Sequence, residues 1–375
     1  MQRYFRIDRV VIDNYRSIVH CDVRLGQITF LVGPNGSGKS NFVDALAFVS
    51  DSLRHSLNQA ARSRLGIYGL LSAPIKLPGR MGFRFEISSS EGLQAIYSFT
   101  IRVEANDSIT VEREECRVGS THHYVVRDGA VQGSAQVFPP VSADRLFLVN
   151  AAGLPEFRPV FDFLSEIVIA EPMPSRLQLV ADHYTLSGMT LRFRELRQNN
   201  PARADLIQDY LRAIAEPFDR LAVADFDDRP RLKFIEKSGL EFFMSQVSSG
   251  LLHSAGILLE LFEPPKNGAQ ASLVAIEEPE ALLHPGAVSV IRGSFLEASE
   301  LRQILITSHS PELLDDKSIP GEWIRVVRRD QAGTHFEELA PATESIIRDQ
   351  LFSAGELLRH GGLGVRLQPM DERAA

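Results

Sequence analysis

The stretch that decides the fold of this chain is Leu31-Val32-Gly33-Pro34-Asn35-Gly36-Ser37-Gly38-Lys39-Ser40, which has the spacing G-x-x-x-x-G-K-S. The apolar run Ile28 to Val32 leads into the glycines and is typical of a buried strand. Apolar residues then recur every three or four positions, which indicates one face of a helix: Phe42, Leu46, Val49, Leu53 and Leu57. A strand, a glycine-rich loop and a helix in this order predict a phosphate-binding P-loop.

The residue types of this loop suit a nucleotide. Glycines allow successive backbone N–H groups to turn toward a phosphate, and the N-terminus of the helix adds partial positive charge. Lys39 is expected to reach the β- and γ-phosphates, and the Ser40 hydroxyl is expected to hold Mg²⁺. The sequence therefore predicts binding of ATP with Mg²⁺. The remaining nucleotide-binding positions are expected to be Asn35, Gly36, Ser37, Gly38 and Asn41.

The bulk composition is that of an ordinary globular protein of 375 residues with 23% charged residues. Its formal charge of −8 argues against a chain that coats nucleic acid through net charge alone, but it leaves room for a local basic groove. Cys21 and Cys116 are the only cysteines, which disfavours a disulfide framework or a zinc site. No apolar run approaches about 18 residues and no signal peptide is recognisable, so we expect a cytoplasmic protein without a membrane partner.

The pattern changes twice between the P-loop helix and residue 236. From Gly82 to about Val149, short β-type runs separated by glycine-containing turns predict an antiparallel sheet. From about Phe157 the pattern is helical, and its clearest helix is predicted from Ala204 to Phe218. We therefore predict a nucleotide-binding domain split by an insert. Its parts are 1–81 with the P-loop, the β-rich and then helical insert 82–235, the second part 236–340 and a tail 341–375.

Further motifs follow the insert. Gln246-Val247-Ser248-Ser249-Gly250 opens an apolar helix, and its small hydroxyl residues suit either a simple N-cap or an anion site. Leu273 to Glu280 is a buried strand that ends in acids, and a second apolar strand ends in Thr307-Ser308-His309-Ser310-Pro311. Ligands bind beyond the carboxyl ends of parallel strands. The acids are therefore expected to act on Mg²⁺ and on an attacking water, and His309 on the γ-phosphate or that water.

The order of these motifs resembles that of the ABC-type ATPase heads of the RecF/SMC group. It is most similar to the armless, stand-alone ATPases of bacteria that carry EEPExxLHP and THSP. The matching stretches are Asn14 to Ser17, Glu277 to Pro285, Thr307 to Pro311 and Phe352 to Leu358. The resemblance implies an α/β fold: an ABC-type head with a P-loop parallel core sheet, an antiparallel β side sheet and a helical insert.

The resemblance also implies roles for residues. Ser40 and Glu277 would serve the metal, Glu278 would polarise the attacking water, and His309 would be the switch histidine. Ser248 and Gly250 would form the signature motif, which binds the γ-phosphate of a nucleotide held by another subunit. Two departures are present: Glu277 stands where aspartate is usual, and the signature is V-S-S-G rather than L-S-x-G.

The function implied is ATP hydrolysis by a homodimer that closes head to head on ATP, in DNA repair and maintenance or in anti-phage defence. DNA and a partner effector protein are the candidate partners. An alternative from another class is a nucleotide-gated scaffold that hydrolyses little ATP and regulates an effector such as a nuclease.

Overall fold

The P-loop strand lies inside a six-stranded sheet in the computed structural model, which describes residues 5–71, 77–104, 108–127, 129–134, 140–142, 145–170, 183–226, 229–264 and 273–366. In spatial order the strands are β16 (Gly333–Glu338), β15 (Ile324–Asp330), β3 (Ile28–Val32), β14 (Gln303–Ser308), β13 (Leu273–Glu277) and β9 (Val168–Ala170). Neighbours from β15 to β9 are parallel, and β16 is antiparallel to β15. This is the predicted parallel core sheet, whose central strands are apolar because both faces are covered.

A second sheet is antiparallel throughout. Its order is β2 (Ile18–Arg24), β1 (Phe5–Tyr15), β4 (Gly79–Ser89), β5 (Gln94–Val103), β6 (Ile109–Val118), β7 (His122–Arg127) and β8 (Ala130–Gly133). It confirms the predicted antiparallel side sheet. Strand β4 pairs directly with β1, so residues before and after the P-loop share this sheet. The boundary placed at residues 81 and 82 falls within β4, and the four-part division stays a prediction.

The P-loop helix α1 (Lys39–Arg54) packs between the two sheets. Its apolar side chains share one hydrophobic core with the antiparallel sheet and with Leu31 of β3. Phe30 and Val32 of the same strand point the other way, into a second core with the helices beyond. Alternation along one strand therefore assigns its side chains to two cores, as expected for a central strand. Smaller helices α2 (Leu57–Arg62), α3 (Leu148–Ala151) and α4 (Arg158–Ser165) cover α1.

The second core lies under the remaining helices. They are α5 (His183–Asn199), α6 (Pro201–Ile214), α7 (Ser249–Phe262), α8 (Pro285–Ser299), α9 (Pro341–Arg348) and α10 (Ala354–Arg359). A three-stranded antiparallel sheet lies against α5 and α6. Its strands are β10 (Phe218–Phe226), β11 (Arg229–Glu236) and β12 (Glu241–Phe243). No helix among the described residues is long and apolar enough to cross a membrane.

Two local expectations differ from the structure. The helix predicted from Ala204 to Phe218 begins at Pro201 and ends at Ile214, and Phe218 opens β10 instead. Pro217 explains the early end, because the residue before a proline is driven toward extended backbone. The stretch from Phe157 also contains strand β9, which has only three residues and pairs with β13. Its pairing partner lies about a hundred positions away, and no local pattern reports it.

Candidate functional site

The P-loop follows β3 and curls around the N-terminus of α1. Gly36 and Gly38 have φ of 77° and 106°, a left-handed backbone that glycine adopts without strain. A Cβ on Gly33 would lie 2.1 Å from the Val327 carbonyl oxygen, so this position must be glycine for β3 and β15 to approach each other. Geometry therefore explains all three loop glycines.

Lys39 is buried beneath this loop, with only 4% of its surface exposed. Its Nζ donates to the carbonyl oxygens of Gly33 at 2.8 Å and Pro34 at 3.1 Å. Burial lowers the pKa of Lys39, and the nearby carboxylates of Glu278 and Glu280 oppose that change. Lys39 is therefore a buried cation that interacts electrostatically with the acids that follow β13.

The loop has the features of a phosphate site. The Ser37 Oγ is buried and has no hydrogen-bond partner among the described residues, while Asn35 and Ser40 are exposed at the mouth of the loop. A Cβ on Gly36 would meet nothing within 4 Å, so that part of the loop is open. Glycine-lined backbone, an unpaired hydroxyl and a buried lysine fit a polyphosphate chain.

A hydrogen-bonded network braces the loop from behind. The Thr334 Oγ1 donates to the Ser37 carbonyl oxygen at 3.0 Å and lies 2.7 Å from the Ser17 Oγ. Asn41 Nδ2 in turn donates to the Ser17 Oγ at 2.6 Å. Asn41, predicted to line the nucleotide, therefore bonds to Ser17 within the chain. No sequence signal identifies Thr334 as a support of the loop, because it lies almost 300 positions away and has no motif around it.

The carboxyl ends of β13 and β14 bring the predicted acids and histidine together. Glu277 is the last residue of β13 and is half-buried in register with Thr307. Glu278 follows with φ of 43°, which is strained backbone for a residue other than glycine. Its Oε1 lies 3.2 Å from the Nδ1 of His309, a residue 31 positions away. The two predicted catalytic side chains therefore form a hydrogen-bonded pair.

The third acid, Glu280, was not assigned a role from the sequence. Its side chain is only 7% exposed, and its Oε1 accepts from the Ser308 Oγ at 2.5 Å and from the His309 N–H at 3.4 Å. Burial raises the pKa of Glu280. Its Oε2 is buried with no hydrogen-bond partner among the described residues. Glu280 thus connects the turn after β13 to the turn that carries His309 by hydrogen bonds. The sequence signal that could have identified this residue is its place as the third acid of E-E-P-E.

The metal residues predicted from the sequence lie on separate elements. Ser40 is exposed in the first turn of α1, and Glu277 ends β13. Within the described parts of the chain, no three His, Cys, Asp or Glu side chains form a ready-made metal site. Mg²⁺ here would take much of its coordination from phosphate and water, as Mg²⁺ usually does at nucleotide sites.

The predicted signature opens helix α7. Ser248 is its N-cap, and its side chain accepts from the Leu251 N–H at 3.3 Å. A Cβ on Gly250 would lie 2.7 Å from the Leu282 carbonyl oxygen, so α7 packs closely on the segment after Glu278. Ser248 also borders a 300 Å³ cavity with Phe218, Phe242 and other residues of the three-stranded sheet. That cavity includes no P-loop residue.

Residues 28–315 match the family model described as "AAA domain, putative AbiEii toxin, Type IV TA system". The chain belongs to this family. The matched region begins at the P-loop strand and extends past His309, so it contains the P-loop, the signature residues, the acids after β13 and His309, but not Ser17, Val327 or Thr334. A search of the curated proteins returned no match.

Solved SMC head domains have a similar fold to this AAA-domain protein. One is an SMC head bound to the C-terminal winged-helix domain of ScpA. It is 14% identical to this chain, the alignment covers 89% of this chain and 98% of that one, and the TM-score is 0.56. Another is an Smc head with an extended coiled coil, bound to the C-terminal domain of ScpA derived from Pyrococcus furiosus. It is 12% identical to this chain, the alignment covers 93% of this chain and 100% of that one, and the TM-score is 0.54. Together with the family match, they confirm the resemblance and the ABC-type head fold predicted from the sequence.

Proposed function

We propose that this AAA-domain protein binds ATP with Mg²⁺ and hydrolyses it in a homodimer that closes on the nucleotide. The observation that carries the proposal is the Glu278–His309 pair at the ends of two adjacent parallel strands. Lys39, which the P-loop holds, lies within the electrostatic influence of the same acids. A phosphate-binding loop and a positioned carboxylate–histidine pair are what phosphoryl transfer to water requires.

Each residue then has one task. Lys39 and the backbone N–H groups of the loop neutralise and hold the phosphate chain, while Ser40 and Glu277 would hold Mg²⁺. Glu278 would accept a hydrogen bond from the attacking water, and His309, with its Nδ1 on Glu278, would reach the γ-phosphate or that water with its other ring nitrogen. Mg²⁺ supplies charge neutralisation at the phosphate oxygens. Catalysis is therefore positioning and electrostatics.

The separate position of the signature supports a dimer. Ser248 borders a cavity that no P-loop residue of its own chain lines. The exposed N-terminus of α7, with its serine cap, suits an anion supplied by another molecule. A second copy of the chain would supply that anion as the γ-phosphate of its nucleotide. The setting we propose, DNA maintenance or anti-phage defence, rests on the resemblance to RecF/SMC-type ATPases and on the toxin named in the family description.

The test compares Glu278→Gln with Glu277→Gln by size-exclusion chromatography with light scattering, with and without ATP and Mg²⁺. Glu278→Gln should accumulate an ATP-bound dimer, because hydrolysis stops while binding remains. Glu277→Gln should bind ATP·Mg²⁺ poorly and stay monomeric. Phosphate release from the wild-type protein is measured in parallel.

Several outcomes would count against parts of the proposal. A trapped dimer for Glu277→Gln alone would exchange the two roles. A dimer of equal population without nucleotide would remove ATP gating. An ATP-dependent wild-type dimer that releases no phosphate would favour the nucleotide-gated scaffold over the ATPase.

A further inference from the structure

The three-stranded sheet β10–β12 has an inner face that packs into the second core and an outer face whose residues, except the buried Ile235, are at least partly exposed. On β11, Leu232 and Phe234 point into the second core, while Arg231 and Lys233 alternate with them and point away. Directly paired residues of neighbouring strands share a face. The strand register therefore defines an outer face made of Arg220, Ala222, Ala224, Phe226, Arg229, Arg231, Lys233, Ile235, Glu241 and Phe243.

Aromatic rings and cations are interleaved on this outer face. Phe226 is 50% exposed, and its ring centroid lies 5.9 Å from that of Phe243. The Arg231 guanidinium lies over both rings, with its Cζ 5.2 Å from the Phe226 centroid and 5.8 Å from the Phe243 centroid. The Lys233 Nζ lies 5.8 Å from the Phe243 centroid. Such stacking holds the cations over the rings and leaves the far side of the guanidinium open to another planar group.

The outer face is basic although the chain is acidic. Its charged residues are four cations and one carboxylate, in a chain whose formal charge is −8. Lys233 pairs with Glu241 at 2.6 Å, and Arg220 pairs with Asp219 at 2.6 Å. Arg229 and Arg231 make no ion pair with any residue in the described ranges. Asp227 and Asp228, which lie between β10 and β11 in the sequence, are outside the described residues.

We propose that this outer face binds a single strand of nucleic acid. Phosphates would pair with the arginines, and bases would stack on the exposed Phe226 ring or on the free side of the Arg231 guanidinium. Ala222 and Ala224 project little beyond the sheet and leave room for bases beside the rings. A duplex hides the faces of its bases, and an acidic protein surface would use the arginines but not the exposed ring. A single strand uses both.

The inference is separate from ATP hydrolysis, because no P-loop or strand-end residue belongs to the outer face. The face is nevertheless close in sequence to the signature: Phe243 ends β12, and Ser248 caps α7 five positions later. Binding is therefore measured without nucleotide, so that failure of the ATPase proposal and failure of this one remain distinguishable.

The experiment is a fluorescence-anisotropy titration of a labelled 20-nucleotide oligo(dT) at 50 and 200 mM salt. For about three phosphate contacts, the fourfold rise in salt should weaken wild-type binding by roughly twentyfold. Arg231→Glu should weaken binding at 50 mM salt by tenfold or more, and Phe226→Ala by about fivefold or more. Phe226→Leu keeps an apolar side chain but removes the ring, and it should behave like Phe226→Ala.

The matched control is Arg127→Glu. Arg127 is an exposed strand arginine with no ion pair among the described residues, and its substitution changes the net charge equally. It should alter affinity by less than twofold. Circular dichroism confirms that each variant is folded, and Arg231→Gln replaces Arg231→Glu if the latter is not. The proposal is overturned if oligo(dT) does not bind at 50 mM salt, if Arg127→Glu and Arg231→Glu act equally, if both Phe226 variants bind normally, or if duplex binds as tightly.

Discussion

A carboxylate in the antiparallel sheet makes the stability of this protein depend on pH in a direction opposite to that of most acidic residues. Glu114 on β6 is completely buried. Its Oε1 accepts from the hydroxyls of Tyr97 at 3.1 Å and Tyr124 at 2.8 Å and from the Leu148 N–H at 2.7 Å. Its Oε2 accepts from the Phe147 N–H at 2.5 Å. The carboxylate thus joins two strands to the start of α3.

Burial raises the pKa of Glu114 from its ordinary 4.5 to about 7, although the four hydrogen bonds oppose that rise. The folded state therefore holds the proton more tightly than the unfolded state. The resulting stabilisation is complete below pH 4.5 and is lost as the pH rises through 7. At about 1.4 kcal/mol for each unit of pKa, the full effect is about 3 kcal/mol, most of it between pH 5 and pH 8.

The perturbation is Glu114→Gln, which cannot titrate. Urea unfolding of both proteins is followed from pH 5 to pH 8.5, and the quantity of interest is the difference in unfolding free energy between them. Because only the change of this difference with pH is used, any pH-independent effect of the amide on stability cancels. The contributions of other titrating groups cancel as well, because they are the same in both proteins. The wild-type protein should lose about 2 to 3 kcal/mol relative to the variant over this range.

A difference that stays constant from pH 5 to pH 8.5 would show that the folded-state pKa of Glu114 is not raised, and that four hydrogen-bond donors suffice to hold the buried charge. Tyr97→Phe serves as the companion variant. Removing one donor should raise the pKa of Glu114 further and move the loss of stability to higher pH.

The remaining predictions concern the nucleotide site. Lys39→Ala should remove most ATP affinity, because Lys39 is the cation beneath the loop, and calorimetric titration with unchanged affinity would disprove the P-loop assignment. Ser248→Arg should leave ATP binding intact while abolishing dimerisation and turnover, since a bulky cation would occupy the signature; native turnover would show that Ser248 is only a helix cap. Thr334→Val should weaken ATP binding by about fivefold, the effect of losing a hydrogen bond of about 1 kcal/mol to the Ser37 carbonyl, and calorimetry that finds wild-type affinity would show that the loop needs no brace.

Much of the fold was accessible from the sequence because its signals are local. The P-loop requires glycines at fixed positions next to a buried strand, and the structure shows why: Gly36 and Gly38 adopt positive φ, and Gly33 has no room for a Cβ. Alternating and apolar runs likewise predicted antiparallel and parallel sheets, since each reports which faces of a strand are covered. The acids after β13 and the histidine after β14 were predicted to act on one bound nucleotide and its attacking water, because ligands bind beyond the carboxyl ends of parallel strands.

Tertiary structure decided what depends on distant partners. The pairing of β4 with β1 joins residues about 70 to 85 positions apart, and β9 is too short for its own pattern to reveal it. Thr334 supports the P-loop from the other end of the chain. The ionic character of Glu114 is set by the apolar surroundings that burial creates. Local sequence indicates the hydrophobic periodicity of a segment and the backbone conformations open to it. The pairing of strands, the support of the P-loop and the pKa of a buried group depend instead on which distant segments the folded chain brings into contact.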